Sequence, residues 1–120
     1  MEFSSDLLRT LAEIGFMAAC HGRRQEAHAI FEGLGEVRPE SVYPAIGMAV
    51  AEMGAGHYEE AVGILRSKAL RQNPGSAEVL CFLGLALKLA GRGSESEATL
   101  RQATSTGDEQ TRSLAQVLLS

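Results

Sequence analysis

"GHYEEAVGIL", residues 56–65, opens on a glycine, continues with two glutamates and ends nine places later on a large apolar residue. Two other windows share that form: "GRRQEAHAIF" at 22–31 and "GRGSESEATL" at 91–100. Gly22 and Gly56 are 34 residues apart, and Gly56 and Gly91 are 35 apart. The same two steps relate Gly15, Ala49 and Gly84; Ile14, Met48 and Leu83; Leu11, Ala45 and Leu80; Ala27, Ala61 and Ser96; and Phe31, Leu65 and Leu100. Pro39 and Pro74 are 35 apart, which places the extra residue of the second interval between Leu65 and Pro74. Self-similarity at a period of 20 to 50 residues is the signature of stacked supersecondary units.

Apolar residues recur three and four apart on either side of each glycine, so each unit reads as two amphipathic helices, A and B, around a tight turn. In the first unit, helix A carries Leu8, Leu11, Ile14, Gly15 and Ala18, and helix B carries Ala27, Ile30, Phe31 and Leu34, before Gly35 and Pro39 end it. Small residues where the helices cross allow close backbone approach, and Gly22, Gly56 and Gly91 supply turn conformations closed to residues with a Cβ. "DEQTRSLAQVLLS", residues 108–120, places Leu114, Val117 and Leu118 at positions matching helix A and reads as a terminal cap. The expectation is a single all-α domain over 1–120, with repeats at about 5–39, 40–74 and 75–107 and a capping helix at about 108–120.

A 34-residue helix-turn-helix with a small residue in helix A, glycine at the turn, alanine early in helix B and proline after it resembles the tetratricopeptide repeat (TPR). Helix A lacks the family's usual Trp and Tyr, Ser96 stands where helix B normally has Ala, and Asp108 replaces the closing Pro. The resemblance implies a right-handed superhelical α-solenoid that binds ligands on the concave side, lined by the A helices. By register, the residues facing that side are Ala12, Phe16, Cys20, Tyr43, Ile46, Val50, Met53, Cys81, Leu85 and Leu89, with Arg9, Glu78 and Lys88 at the rim. Two readings of this apolar set stand open: a groove for an amphipathic partner helix, anchored by Phe16, Ile46, Val50, Met53 and Leu85, or core packed between repeats and under the last helix.

Composition narrows the classes. Hydrophobic residues make up 45% and charged residues 22%, values of a folded soluble chain, and a net charge of −4 without a basic run argues against nucleic-acid binding. Cys20 and Cys81 lie far apart with no CxxC, which argues against a disulfide framework and for a reducing compartment. "MEFSSDLLRTLAEIG" has neither the charge order of a signal peptide nor the apolar length of a membrane span, so a cytoplasmic address without membrane insertion is expected. Cys20 and His21 are neighbours that point about 100° apart on a helix, with no acid or oxyanion loop to complete a catalytic set. His21, His28 and His57 fall near one edge without a ligand spacing for metal. Glu97 and Arg101 form an i,i+4 pair that steadies an exposed face. No enzyme activity, metal or cofactor is expected.

A short, mildly acidic TPR chain with an apolar concave face resembles the small chaperones of bacterial type III secretion systems. That resemblance implies a groove that sequesters an amphipathic helix of an export substrate such as the needle subunit, and so prevents premature assembly. It also implies a small helical co-chaperone, and leaves the needle-subunit and translocator classes both open. TPR co-chaperones that grip the carboxylate end of heat-shock proteins place Lys, Arg and Asn where this chain has Ala12, Phe16, Ile46 and Val50. The alternative is a general TPR scaffold or regulator of protein interactions.

Overall fold

The computed structural model describes residues 4–120. Residues 1–3, which open the expected domain and the "MEFSS" stretch, lie outside the described residues. The described chain is helical throughout: α1 Ser5–Cys20, α2 Arg24–Val37, α3 Tyr43–Gly54, α4 Tyr58–Ile64 continuing into a π-helical segment Leu65–Leu70, α5 Ala77–Leu89, α6 Gly93–Thr106 and α7 Glu109–Leu119. Three helix-turn-helix pairs and a seventh helix stack into an α-solenoid of extents 44 × 28 × 22 Å. Among the described residues no helix is long and apolar enough to cross a membrane.

The turns repeat as closely as the sequence does. Gly22, Gly56 and Gly91 have φ of 76°, 80° and 81°, the left-handed region that costs a residue with a Cβ about 1–2 kcal/mol. The next residue donates its backbone N–H five residues back in every case: Arg23 to Ala18 (2.8 Å), His57 to Glu52 (2.8 Å) and Arg92 to Leu87 (2.9 Å). This is the Schellman closure, which satisfies carbonyls left over at the helix end. Side-chain oxygens of Ser4, Ser76 and Asp108 accept from Leu7, Val79 and Thr111 backbone N–H groups and so start α1, α5 and α7. Asp108, where the repeat would carry its closing proline, is therefore the N-cap of the last helix.

The core is a row of clusters, one at each junction between units. Phe31, fully buried, reaches from α2 between two glycines: a Cβ at Gly15 would lie 2.8 Å from its ring and one at Gly47 would lie 2.3 Å from it. Leu100 fills the same role against Gly84, where a Cβ would lie 2.5 Å away. Ser96 is accommodated in the buried alanine column because its hydroxyl donates to the Gly84 carbonyl at 2.7 Å.

The extra residue of the second unit has a structural counterpart. Buried pairs on the B helices are Phe31 and Leu34, Leu65 and Ala69, and Leu100 and Ala103, so the second spacing is one longer than the others. The π-helical segment Leu65–Leu70 holds that residue, its wider turn keeping both Leu65 and Ala69 on the buried face. The insertion lies among Arg66, Ser67 and Lys68.

Two expectations are corrected. Ile14, read as part of the packing stripe of the first unit, is 48% exposed. Its counterparts Met48 and Leu83 pack against the B helix of the preceding unit, and no such helix precedes α1 among the described residues. In α7, Leu114 and Val117 are exposed, and the helix instead packs through Ala115, Leu118 and Leu119 against Leu80, Cys81, Leu100 and Ala103.

Candidate binding groove

The expected groove residues divide by depth. Ile46 and Cys81, each 1% exposed, belong to the core and do not line a surface. Ile46 packs with Ala49, Leu65, Val79 and Leu83. Cys81 lies in the cluster beneath α7, its thiol donating to the Thr111 carbonyl at 3.6 Å. Burial, with the charge of Glu78, pushes that thiol up from its ordinary value and leaves it unreactive. The core reading of the apolar face thus holds for these two positions.

The other eight retain surface. Phe16, Val50 and Met53 are half-buried, each with one side against the core; Phe16 meets Phe31 edge-on, their ring centroids 4.8 Å apart. Ala12 and Leu85 are also half-buried, while Cys20, Tyr43 and Leu89 are exposed, Tyr43 at 49% and Leu89 at 46%. Tyr43 is pinned at the start of α3 by a bond from its hydroxyl to Glu78 at 3.0 Å. That hydrogen bond, then burial and the Glu78 charge, raise the Tyr43 phenol above its ordinary value.

Of the rim residues, Arg9 pairs with Asp6 at 3.9 Å, Glu78 is taken by Tyr43, and Lys88 donates to the Leu118 carbonyl at 2.7 Å. Lys88 therefore secures the end of α7, where a cation favours the helix dipole, as well as standing exposed near Leu89.

Between the N-terminal half of α1, the end of α2 and the start of α3 lies a cavity of about 330 Å3. Leu8, Ala12, Phe16, Phe31, Leu34, Tyr43 and Pro44 supply its apolar wall, and Arg9 and Arg38 stand at its edge. Ala12, Phe16, Tyr43 and Arg9 come from the expected set, whereas Leu34, Pro44 and Arg38 do not. Leu34 sits on helix B and Arg38 just after it, while Pro44 lies in the first turn of α3 beside Tyr43, outside the stripe that the register picked out.

A polar cluster joins the first two units. Glu52, 7% exposed, accepts from Arg24 Nη1 at 3.3 Å and His28 Nε2 at 3.2 Å on one oxygen, and from His57 Nδ1 at 3.0 Å on the other. Burial alone would raise its pKa, but the His57 bond, the Arg24 charge and the His28 bond outweigh it and hold the carboxyl below its ordinary value. His21 stands apart, bonded to the Met17 carbonyl at 2.8 Å. No three His, Cys, Asp or Glu residues are grouped to hold a metal ion among the described residues. The sequence did carry a sign of Glu52: it stands in register with Ala18 and Leu87, an acid in an otherwise apolar column.

Paired helices, three matching glycine turns and one small-residue crossing per unit define a helical-repeat protein of the TPR type. Within that class, the family model described as "Coatomer epsilon subunit" matches residues 7–114, and the chain belongs to that family. No curated protein sequence matches.

Solved structures share the fold over nearly the whole chain. The type III secretion translocator chaperone SycD of Yersinia enterocolitica has a TM-score of 0.78 at 19% identity, covering 99% of this chain and 93% of its own. PcrH, a Pseudomonas aeruginosa protein, in complex with the chaperone binding region of PopB, has a TM-score of 0.76 at 19% identity, covering 98% and 97%. SycD with a peptide of the translocator YopD has a TM-score of 0.70 at 19% identity, covering 98% and 96%. The resemblance to small TPR-like secretion chaperones therefore holds at the level of fold.

Proposed function

We propose that the chain is a non-enzymatic chaperone of bacterial type III secretion that holds a segment of a partner protein along its A helices. The observation that supports this is that Phe16, Tyr43, Val50, Met53, Leu85 and Leu89 on the A helices all keep surface, and that Phe16 and Tyr43 also line the 330 Å3 cavity beside Arg9 and Arg38. Half-buried and exposed aromatic, aliphatic and thioether side chains along the A helices suit capture of an amphipathic segment, and the rim arginines would fix its direction. Covering the partner's apolar face keeps it from pairing with its own kind before export, a task that fits a cytoplasmic address.

Two of the structural neighbours are complexes with partner segments, PcrH with PopB and SycD with YopD. They favour a translocator as the partner over the needle subunit, and they give no support for a co-chaperone. The family description supports a second reading, that the chain is a scaffolding subunit of a larger assembly. In that case the exposed B-helix surface, and not these side chains, would carry the contact.

The two readings separate in a capture experiment with the translocator and needle-subunit polypeptides of the same genome. Leu89→Glu and Tyr43→Ala change exposed side chains and should leave the melting temperature within a few degrees of wild type. Capture of the translocator should fall about tenfold in the double variant, a loss of about 1.4 kcal/mol. Undiminished capture would support the scaffold reading instead.

A further inference from the structure

A second cleft, of about 520 Å3, lies on the other side of the loop that walls the groove. Ser41 and Pro44 line both cavities. The floor of the second is Pro44, Ala45 and Met48 of α3; one wall is Gly35 and Pro39 at the end of α2, and the other is Ser67, Lys68, Arg71 and Gln72 from the π-helical segment onward. It therefore opens between two B helices, away from the A-helix strip.

Two cations line this cleft. Of the eleven Lys and Arg residues, Arg9, Arg23, Arg24, Arg92 and Arg101 lie within 4 Å of a carboxylate among the described residues. Among the described residues the other six, Arg38, Arg66, Lys68, Arg71, Lys88 and Arg112, have no such partner; Lys68 and Arg71 are the two that line this cleft, and no Asp or Glu lines it. Ser67 and Gln72 each donate a side-chain hydrogen bond within the chain, to the Gly63 and Pro39 carbonyls at 2.7 Å each. Two exposed cations, a turn apart, thus stand unpaired over an apolar floor, in a chain whose net charge is −4.

We infer that this cleft binds an acidic segment of a protein partner, with one aliphatic side chain seated on Met48 and Pro44 and flanking carboxylates paired to Lys68 and Arg71. Proline and alanine make a firm floor and methionine an adaptable one, which suits a side chain and offers nothing to a free phosphate. A nucleic acid or anionic bilayer presents many charges at once, and the net negative chain would repel it against only two cations. A peptide with a few carboxylates matches both the charge and the floor.

The test is an amide NMR titration of the full chain with the acetylated, amidated peptide EDELDE and its neutral counterpart QNQLNQ. The acidic peptide should shift Lys68, Arg71 and Gln72 most, and the neutral one should bind at least about tenfold more weakly. Lys68→Glu with Arg71→Glu should cost at least another tenfold, and the milder Arg71→Gln a measurable part of that, while Leu89→Glu should leave binding of the acidic peptide at wild-type strength. Equal binding of the two peptides, shifts confined to the groove, loss on Leu89→Glu, or unchanged binding by both cleft variants would each overturn the assignment. So would binding to phosphatidylserine vesicles without binding to the acidic peptide.

Discussion

A methyl group added at Gly47 would stand 2.3 Å from the Phe31 ring, which is buried and already flanked by Gly15. Nothing flexible lies in the way, so Gly47→Ala must displace either the ring or helix α3. Overpacking of this kind costs about 1–3 kcal/mol, and denaturant unfolding should show a loss near the upper end. Gly63 is the internal control: it is helical and exposed, and a methyl group there would meet no atom within 4 Å, so Gly63→Ala should gain about 0.5–1 kcal/mol. Glu52 offers a test of a different sort. Its carboxyl is held below the ordinary value in the folded state, so its stabilisation is complete above the unfolded value of about 4.3 and is lost as pH falls through the depressed folded value. The partners are partly exposed, Arg24 at 39% and His57 at 47%, which limits the effect to about 1 kcal/mol at pH 7. Urea unfolding of wild type and Glu52→Gln should differ by that amount at pH 7 and converge toward pH 3. A difference that grew on acidification would contradict the assignment of Glu52 as an ionised, paired group.

At the scale of the helix, the sequence was most informative where the period was strict. The glycine turns, the small-residue crossings and the Glu97–Arg101 pair, bonded at 2.7 Å, follow from spacing alone because each is local. Even the irregularity was visible as a 35-residue step, although its conformation, a π-helical segment, was not. This makes a deletion experiment decisive. Removing Ser67 returns the second unit to the spacing of the first and third, so the variant should fold cooperatively and stay within about 2 kcal/mol of wild type. Removing the equally exposed Glu32 turns Leu34 and everything after it in α2 by about 100° and should abolish the cooperative transition. If the two deletions proved equally damaging, the π-helical segment would not be an absorbed insertion. What spacing could not give was depth across units: Ile46 and Cys81 shared the groove register with Val50 and Leu85, yet they are buried by the neighbouring unit and by α7.

The whole molecule is a row of junctions, and its ends and faces differ because of what each junction covers. Ile14 is exposed where Met48 and Leu83 are buried, since among the described residues only the later units have a B helix behind them. Glu52 stood out in the sequence only as an acid in an apolar column; its pairing with Arg24 and His28, like the cavity beside Arg38, was not legible for a related reason: both are assembled from two units, while the repeat pattern describes one unit at a time. The proposed function rests on the apolar side chains that the A helices leave with surface, and their engagement of a partner is the central claim. Photocrosslinking tests it most directly, with a benzophenone side chain placed at position 89 on an A helix or at position 63 on a B helix, in this chain co-expressed with the translocator of the same genome. The account predicts a crosslinked partner from position 89 and none from position 63. A crosslink from position 63 with none from position 89 would contradict it.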